Sequence, residues 1–275
     1  MAMYYAKRAL EILREEGPVE LYKRSWNHFV VPSKLFFKHY KEYLRYKRKW
    51  GRSYPKFTRL IYIDPDNVKY RLDPGLNRTH DIGRGPHILT GDWHSAPESD
   101  EIWYSRHRTK SANRQRLKLQ NHLIYISMRQ RYQDNCEWDE TKIFEYIANN
   151  DGIEDKYRSY DAPESMKKRL EKCDEIYRHM SKNGYYTQRE LQKFPYPEYS
   201  EILIHVGPNG NLFLGQGGRH RLGMAKTLDL ETIPARVSVR HKQWQELRDE
   251  IHNNGLPEGR EDLINHPDLQ NIIKV

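Results

Sequence analysis

Long apolar runs are missing from this sequence. Nothing approaches the roughly 18 consecutive apolar residues that a membrane-crossing helix requires, and only 37% of the 275 residues are hydrophobic. The first residues also lack a continuous apolar stretch of the secretory type, so no export signal is expected. Cysteine is nearly absent. Cys136 and Cys173 give neither a disulfide framework nor metal-ligand spacing; reduced thiols in a cytoplasmic protein are expected, with a place at the membrane periphery left open. His80, His87, His94 and His107 show no zinc-like spacing. Acidic charge is scarce at one end: residues 1–60 hold 15 Lys/Arg against 5 Asp/Glu, while the whole chain carries +9. The excess is therefore confined to the N-terminal part.

Aromatic residues are plentiful. Twenty Tyr and six Trp offset the small aliphatic core, because such rings bury area while keeping a polar end wet. "YYAKRALEILREEGPVELYKRSWNHFVVP" reads as two short helices broken at Gly17-Pro18. A third follows in "KLFFKHYKEYLRYKRKW", where Lys34, Lys38, Lys41, Arg45 and Arg48 share a face and Phe37, Tyr40 and Leu44 a neighbouring one. This basic, aromatic extension, residues 1–56, suits an anionic membrane surface or a nucleic-acid backbone. It also suits a helical hairpin that docks on the main domain and leaves its cations in water.

The main domain is placed at 57–250. It opens on the strand and Asp-Pro turn of "TRLIYIDPDNV". "GPHILTGDWH" is strand-like and ends at Asp92; "QNHLIYISMRQRY" and "WDETKIFEYIANN" read as helices. In "DAPESMKKRLEKCDEIYRHMSKNGY", Asp161 and Glu164 have capping-box spacing and Asn183-Gly184 is a stop signal. "EILIHV" and "NLFLG" form a hairpin across Asn-Gly. A glycine turn, a helix and the strand "IPARVSVRH" follow, then a polar helix and a tail, 251–275.

The turn "GQGGRHRLGMAK" carries the chemistry. Glycines let a ligand approach main-chain N–H groups, and the next helix presents its positive end to whatever sits there. Arginine in a first helical turn opposes the dipole, a conflict that a bound anion removes. Gly217, Gly218, Arg219, His220 and Arg221 are therefore the expected phosphate ligands. An αL turn flanked by solvated arginines is the alternative. Asp92 and His94 fall at a strand end, where a carboxylate binds Mg²⁺ or serves as a general base, or else caps the next turn. His241, Trp244 and Arg248 follow the last strand, and either line the site by stacking on a base or pack structurally.

"LGQGGRHRLGMAKTLDLETIPARV" resembles the signature segment of the ParB/sulfiredoxin superfamily, with "LIYIDPDNV" similar to its opening strand and "ESMKKRLEKCDEIYRHMSKNGY" to its glycine-terminated helix. Together these cover about 100 residues. The resemblance implies an α+β, ParB/sulfiredoxin-like mixed sheet core with a helical insertion at about 76–160. It also implies that the turn binds the phosphates of ATP, ADP or CTP. Arg219 stands where sulfiredoxins carry their cysteine and ParB proteins a glutamate, so neither cysteine-based reduction nor a CTP switch is expected. No helix-turn-helix follows residue 240. The expected function is thus an ATP- or ADP-dependent phosphotransferase with Mg²⁺, with Asp92 and His220 as the catalytic residues and an unidentified acceptor. The alternative is a ParB-like nucleotide or nucleic-acid binder, a DNA binder or nuclease, without phosphotransferase activity.

Overall fold

The structure is a computed structural model that describes residues 2–26, 31–72, 85–103, 115–149, 163–191 and 196–273. Arg106, Arg108, Lys110 and Arg114, a second basic concentration in the sequence, lie outside the described residues, as do His80, His107 and Asp161.

The N-terminal part is helical: α1 (Ala2–Glu15), α2 (Gly17–Ser25) and α3 (Val31–Trp50). The break falls at Gly17, whose φ of +84° ends the first helix, and Pro18 starts the second. Helix α3 docks on the body through an aromatic seam. Phe36 stacks on Tyr196 at 4.6 Å, Tyr43 on Tyr54 at 6.1 Å, and the buried His39 shares a 2.7 Å hydrogen bond with the Tyr199 hydroxyl. Helix α3 is thus docked on the body, with Lys34, Lys38, Lys41, Arg45 and Arg48 exposed.

The body is α+β. Strands β1 (Leu60–Ile63), β2 (Tyr70–Arg71), β3 (His87–Leu89), β4 (Glu98–Ser99), β5 (Arg116–Lys118), β6 (Ile202–Val206), β7 (Leu212–Leu214) and β8 (Ile233–His241) form one mixed sheet. Its order is β1-β8-β6-β7-β2-β5-β4, with β3 joined to β8. Strand β8 is its axis, with all nine residues buried, as a strand covered on both faces requires. Antiparallel β1 and parallel β3 share one of its edges, and parallel β6 takes the other. The helices are α4 (Leu123–Tyr132), α5 (Lys142–Asn149), α6 (Pro163–Asn183), α7 (Arg219–Thr227) and α8 (Lys242–Asn254).

The segment expected to be a helical insertion supplies strands as well. Within it, β3, β4 and β5 extend the sheet, and β3 pairs directly with β8 through His87↔Val239 and Leu89↔His241. The strand read in "GPHILTGDWH" is β3; the two- and three-residue β4 and β5 carry too little alternation to be recognised by pattern.

Two cores flank the sheet. Leu123, Met128, Leu170, Leu222, Met224 and the inward residues of β6 and β8 form the larger one beneath α4, α6 and α7. Leu72, Trp93, Ala96, Phe213 and Val239 form the smaller one on the other face. Val237 belongs to the first and Val239 to the second, although alternation places them on one side. The cause is a register shift: Ile204 pairs with Val237 and His205 with Val239, leaving Ser238 as the extra residue of a bulge.

The C-terminal segment is tied down by a buried charge cluster. Arg240 grips Asp268 with two hydrogen bonds of 2.8 and 2.7 Å; Arg248 Nη1 lies 3.3 Å and Arg59 Nη1 3.8 Å from the same carboxylate. Trp244 Nε1 donates to it at 3.0 Å. Burial raises the Asp268 pKa, but Arg240 and Arg248 outweigh it and hold the carboxyl far below its ordinary range. Burial, only partly offset by Asp268, pushes Arg248 down to about 9.

His266 sits beside this cluster in its neutral form. Its Nε2 donates to Gly210 O at 2.9 Å and its Nδ1 accepts from Asp268 N at 3.2 Å. Burial holds its pKa below the ordinary 6.5. The stability that this depressed value contributes is complete above pH 6.5 and is lost as pH falls towards the folded value, because the unfolded chain then binds the proton more readily. Asp268 stays ionised throughout that window. The urea midpoint is therefore expected to fall between pH 7.5 and pH 5, and His266→Gln to shrink that fall. An identical pH response in the variant overturns the assignment.

Candidate functional site

The glycine turn grows out of the sheet. Past β7 the chain stays against β6: Gly215 N donates to Leu203 O at 2.7 Å and Leu203 N to Gly217 O at 3.2 Å. Gly218 then turns into α7 with φ +85° and ψ 7°, and its carbonyl accepts from Leu222 N at 2.9 Å. A Cβ on Gly218 would lie 2.6 Å from Ile202 Cα, and one on Gly215 would lie 2.9 Å from the His205 ring. Gly217 is looser, with 3.3 Å to the Leu203 side chain. Close approach to β6 thus explains Gly215 and Gly218 before any ligand is invoked.

The helix that follows has nine residues. Its geometry leaves the N–H groups of Arg219, His220 and Arg221 without intrahelical acceptors, at the positive end of the helix dipole. Arg219 and His220 are half-buried. Arg221 is committed to a polar knot. Its Nη1 donates to the Tyr185 hydroxyl at 2.5 Å and to Glu201 Oε2 at 3.3 Å, and its Nη2 donates to Ser200 O. Glu201 is 1% exposed and also accepts from Gln188 N at 2.5 Å and from Tyr185 at 3.2 Å. Burial raises the Glu201 pKa against these partners, and burial pushes the Tyr185 phenol upward too.

Arg221 also borders a cavity of about 240 Å³, open to solvent, whose walls include Ile176, His179 and Met180 of α6 together with Tyr185 and Leu191. A polar rim beside an apolar, aromatic wall suits a ligand with an anionic end and a flat, weakly polar end. Glu201, Tyr185 and the cavity escaped sequence reasoning. The signal was slight: one carboxylate at the mouth of the apolar run "ILIHV".

The other expected residues lie elsewhere. Asp92 is exposed beyond the end of β3, and it is its backbone carbonyl, not its side chain, that accepts from Ser95 N at 3.0 Å. His94 and His241 do come together, ring centroids 5.0 Å apart, with Trp93 5.9 Å from His241. His241 caps α8, accepting from Gln243 N at 3.2 Å while its Nε2 donates to Gly91 O at 3.0 Å. Burial, reinforced by His241, lowers the His94 pKa. This cluster stands at the C-terminal ends of β3 and β8, whereas the turn abuts the N-terminal end of β6. No described contact joins Asp92 to the turn.

Trp244 and Arg248 are fully buried around Asp268, next to the β6–β7 hairpin at Gly210. Of the two alternatives for this pair, the structure realises structural packing. Among the described residues no three His, Cys, Asp or Glu side chains are grouped to hold a metal. At the turn, Glu201 is already engaged by Arg221. Asp92 is exposed, but it stands at the opposite end of the sheet from the turn and does not reach an ion held on phosphates there. Among the described residues, no helix is long and apolar enough to cross a membrane.

The chain matches no family model, no curated protein and no solved structure. Its function therefore rests on the geometry of its own residues.

Proposed function

We propose that the Gly215–Arg221 turn and the start of α7 bind the phosphates of a nucleotide, ATP or ADP with CTP as an alternative, in a ParB/sulfiredoxin-like arrangement. In this reading the chain transfers a phosphoryl group to an acceptor. The observation that carries it is the juxtaposition at Arg221: a helix N-terminus with three consecutive basic residues opens beside an apolar, tyrosine-walled cavity. The backbone N–H groups of 219–221 and the side chains of Arg219 and His220 would hold the phosphates, and the cavity the base. Arg221 would act from within its knot, its charge shared with Glu201. The strand, glycine turn, helix and Ile-Pro strand succession from β7 to β8 supports the superfamily reading.

Catalysis would come from positioning and charge neutralisation, as is usual for phosphoryl transfer. Bound Mg²⁺ would supply further neutralisation of the phosphate oxygens. His220 is the proposed proton donor at the turn; Asp92, which the sequence suggested for the ion or for the acceptor's proton, stands at the far end of the sheet from the turn and is given neither role. A reducing, cytoplasmic setting belongs to the same proposal.

Thermal shifts with ATP, ADP and CTP, each with and without Mg²⁺, test the phosphate site. A ligand at about 100 times its dissociation constant stabilises by about 2.7 kcal/mol, a shift of several degrees. The expected result is a shift with at least one nucleotide that Arg219→Ala abolishes. Absence of any shift, or a shift that survives Arg219→Ala, overturns the site. Mg²⁺-dependent loss of the γ- or β-phosphate then separates an enzyme from a binder.

A further inference from the structure

The N-terminal helices leave an apolar surface uncovered. In α1, Leu10 and Leu13 are exposed although Ile12 is buried. In α2, Val19 is 66% and Tyr22 64% exposed, and Trp26 just beyond the helix is also open to solvent. In α3, the outward residues Phe37, Tyr40 and Leu44 repeat at three and four positions, with Phe37 67% exposed. This stripe borders the face that carries Phe36, His39 and Tyr43 into the aromatic seam, which Tyr40 joins through Phe36 and Phe57. Residues with such large side chains gain nothing from contact with water, and a clustered exposed set marks a contact surface.

Charge is arranged around the same surface. Helix α3 holds seven Lys/Arg against one Glu. Lys34, Lys38, Lys41, Arg45 and Arg48 are all exposed, on the face next to Phe37, Tyr40 and Leu44. The two helical pieces meet there: Tyr22 packs 5.8 Å from Trp26, and Lys34 Nζ lies 4.9 Å over the Trp26 ring. Val19, Tyr22 and Trp26 thus adjoin the α3 row of cations through Trp26 and Lys34.

We infer that this surface docks on an anionic membrane, with Leu10, Leu13, Val19, Tyr22, Trp26 and Phe37 entering the headgroup boundary and the α3 cations meeting lipid phosphates. Three arguments select this occupant. The cations complement anionic lipid, as in interfacial amphipathic helices and juxtamembrane basic segments. A second copy of the chain would bring one basic row against another. A nucleic-acid backbone would satisfy the cations but leave Leu10, Leu13 and Val19 in water, since aliphatic side chains neither stack on bases nor contact phosphates. The absence of a crossing helix among the described residues fits docking by a surface. This inference does not depend on the nucleotide site.

The test is co-sedimentation of the full chain with vesicles of phosphatidylglycerol and phosphatidylcholine in equal parts, against pure phosphatidylcholine vesicles. Partitioning onto the anionic vesicles is expected to be about tenfold stronger. It should drop about tenfold both in Val19→Asp/Tyr22→Asp and in Lys38→Glu/Lys41→Glu. All four positions are exposed, so circular dichroism should show the fold retained. Three results would overturn the inference. One is equal partitioning of the wild type onto both vesicles, or onto neither. Another is loss only in the lysine variant together with salt-sensitive DNA retention, which indicates a nucleic-acid surface. The third is a concentration-dependent dimer that Val19→Asp dissolves.

Discussion

Asp268→Asn is expected to lower the unfolding free energy by about 3–5 kcal/mol, the usual cost of removing one partner from a buried charge pair. The reason lies in what remains. Arg240 and Arg248 are both almost fully buried, and both lean on this carboxylate. Arg248 already has two buried nitrogens, Nε and Nη1, without a hydrogen-bond acceptor. Without Asp268 the pocket holds two uncompensated guanidinium groups in a medium that solvates them poorly. The amide of Asn still accepts one hydrogen bond, so geometry survives better than charge balance. The same change at Asp262, an exposed partner of Arg260 at 3.2 Å, should cost well under about 1 kcal/mol. Urea unfolding of both variants checks the contrast. A loss below about 1 kcal/mol in Asp268→Asn would show that the arginines are satisfied by other means.

Gly218→Ala is the second change with a large expected cost, about 2–4 kcal/mol. Two effects add. A φ of +85° is a left-handed conformation that costs an L-residue about 1–2 kcal/mol. The new methyl would also meet Ile202 Cα at 2.6 Å, and backbone within a buried central strand has no room to yield. Gly217→Ala makes the comparison informative. Its φ is not positive and its nearest contacts, at 3.3 Å, are the movable side-chain atoms of Leu203. It should cost about 1 kcal/mol or less, yet it places a methyl in the proposed phosphate cradle. Loss of nucleotide-induced stabilisation in Gly217→Ala with the fold intact would support the cradle. Equal destabilisation by both changes would mean that the turn is too tightly packed for the two roles to be separated.

Much of the fold was legible because its elements announce themselves locally. The Gly17-Pro18 break, the helix stop at Asn183-Gly184, the Asn-Gly hairpin and the β7–turn–α7–β8 succession all rest on residues within one or two turns of each other. Strand β3 was legible in "GPHILTGDWH", but β4 and β5 exist only because a neighbouring strand offers hydrogen bonds, and neighbours in space are invisible to a local pattern. The same limit governed the site. Spacing on α8 left Trp244 and Arg248 open between lining the site and packing structurally; Asp268, some twenty residues later, captures both. Asp92 looked like a partner of the turn because both follow strands. The strands end on opposite sides of the sheet. Arg219, His220 and Arg221 were singled out because a cation in a first helical turn contradicts the local dipole, and that contradiction can be read without a structure.

The extra residue at Ser238 has a further consequence. Arg236 and Arg240 are separated by an even number of positions, so an uninterrupted strand would send both guanidinium groups to the same side. Instead Arg236 reaches Glu198 O at 3.0 Å and Phe57 O at 3.4 Å and lies over the Tyr199 ring, while Arg240 meets Asp268 across the sheet. The half-step in phase divides two buried cations between two compartments, each with its own acceptors. Deleting Ser238 would remove the bulge and leave the two arginines three positions apart, an odd separation that still sends them to opposite sides, whereas replacing Ser238 keeps the bulge. A strand buried along its whole length thus works as a sorting device for charge.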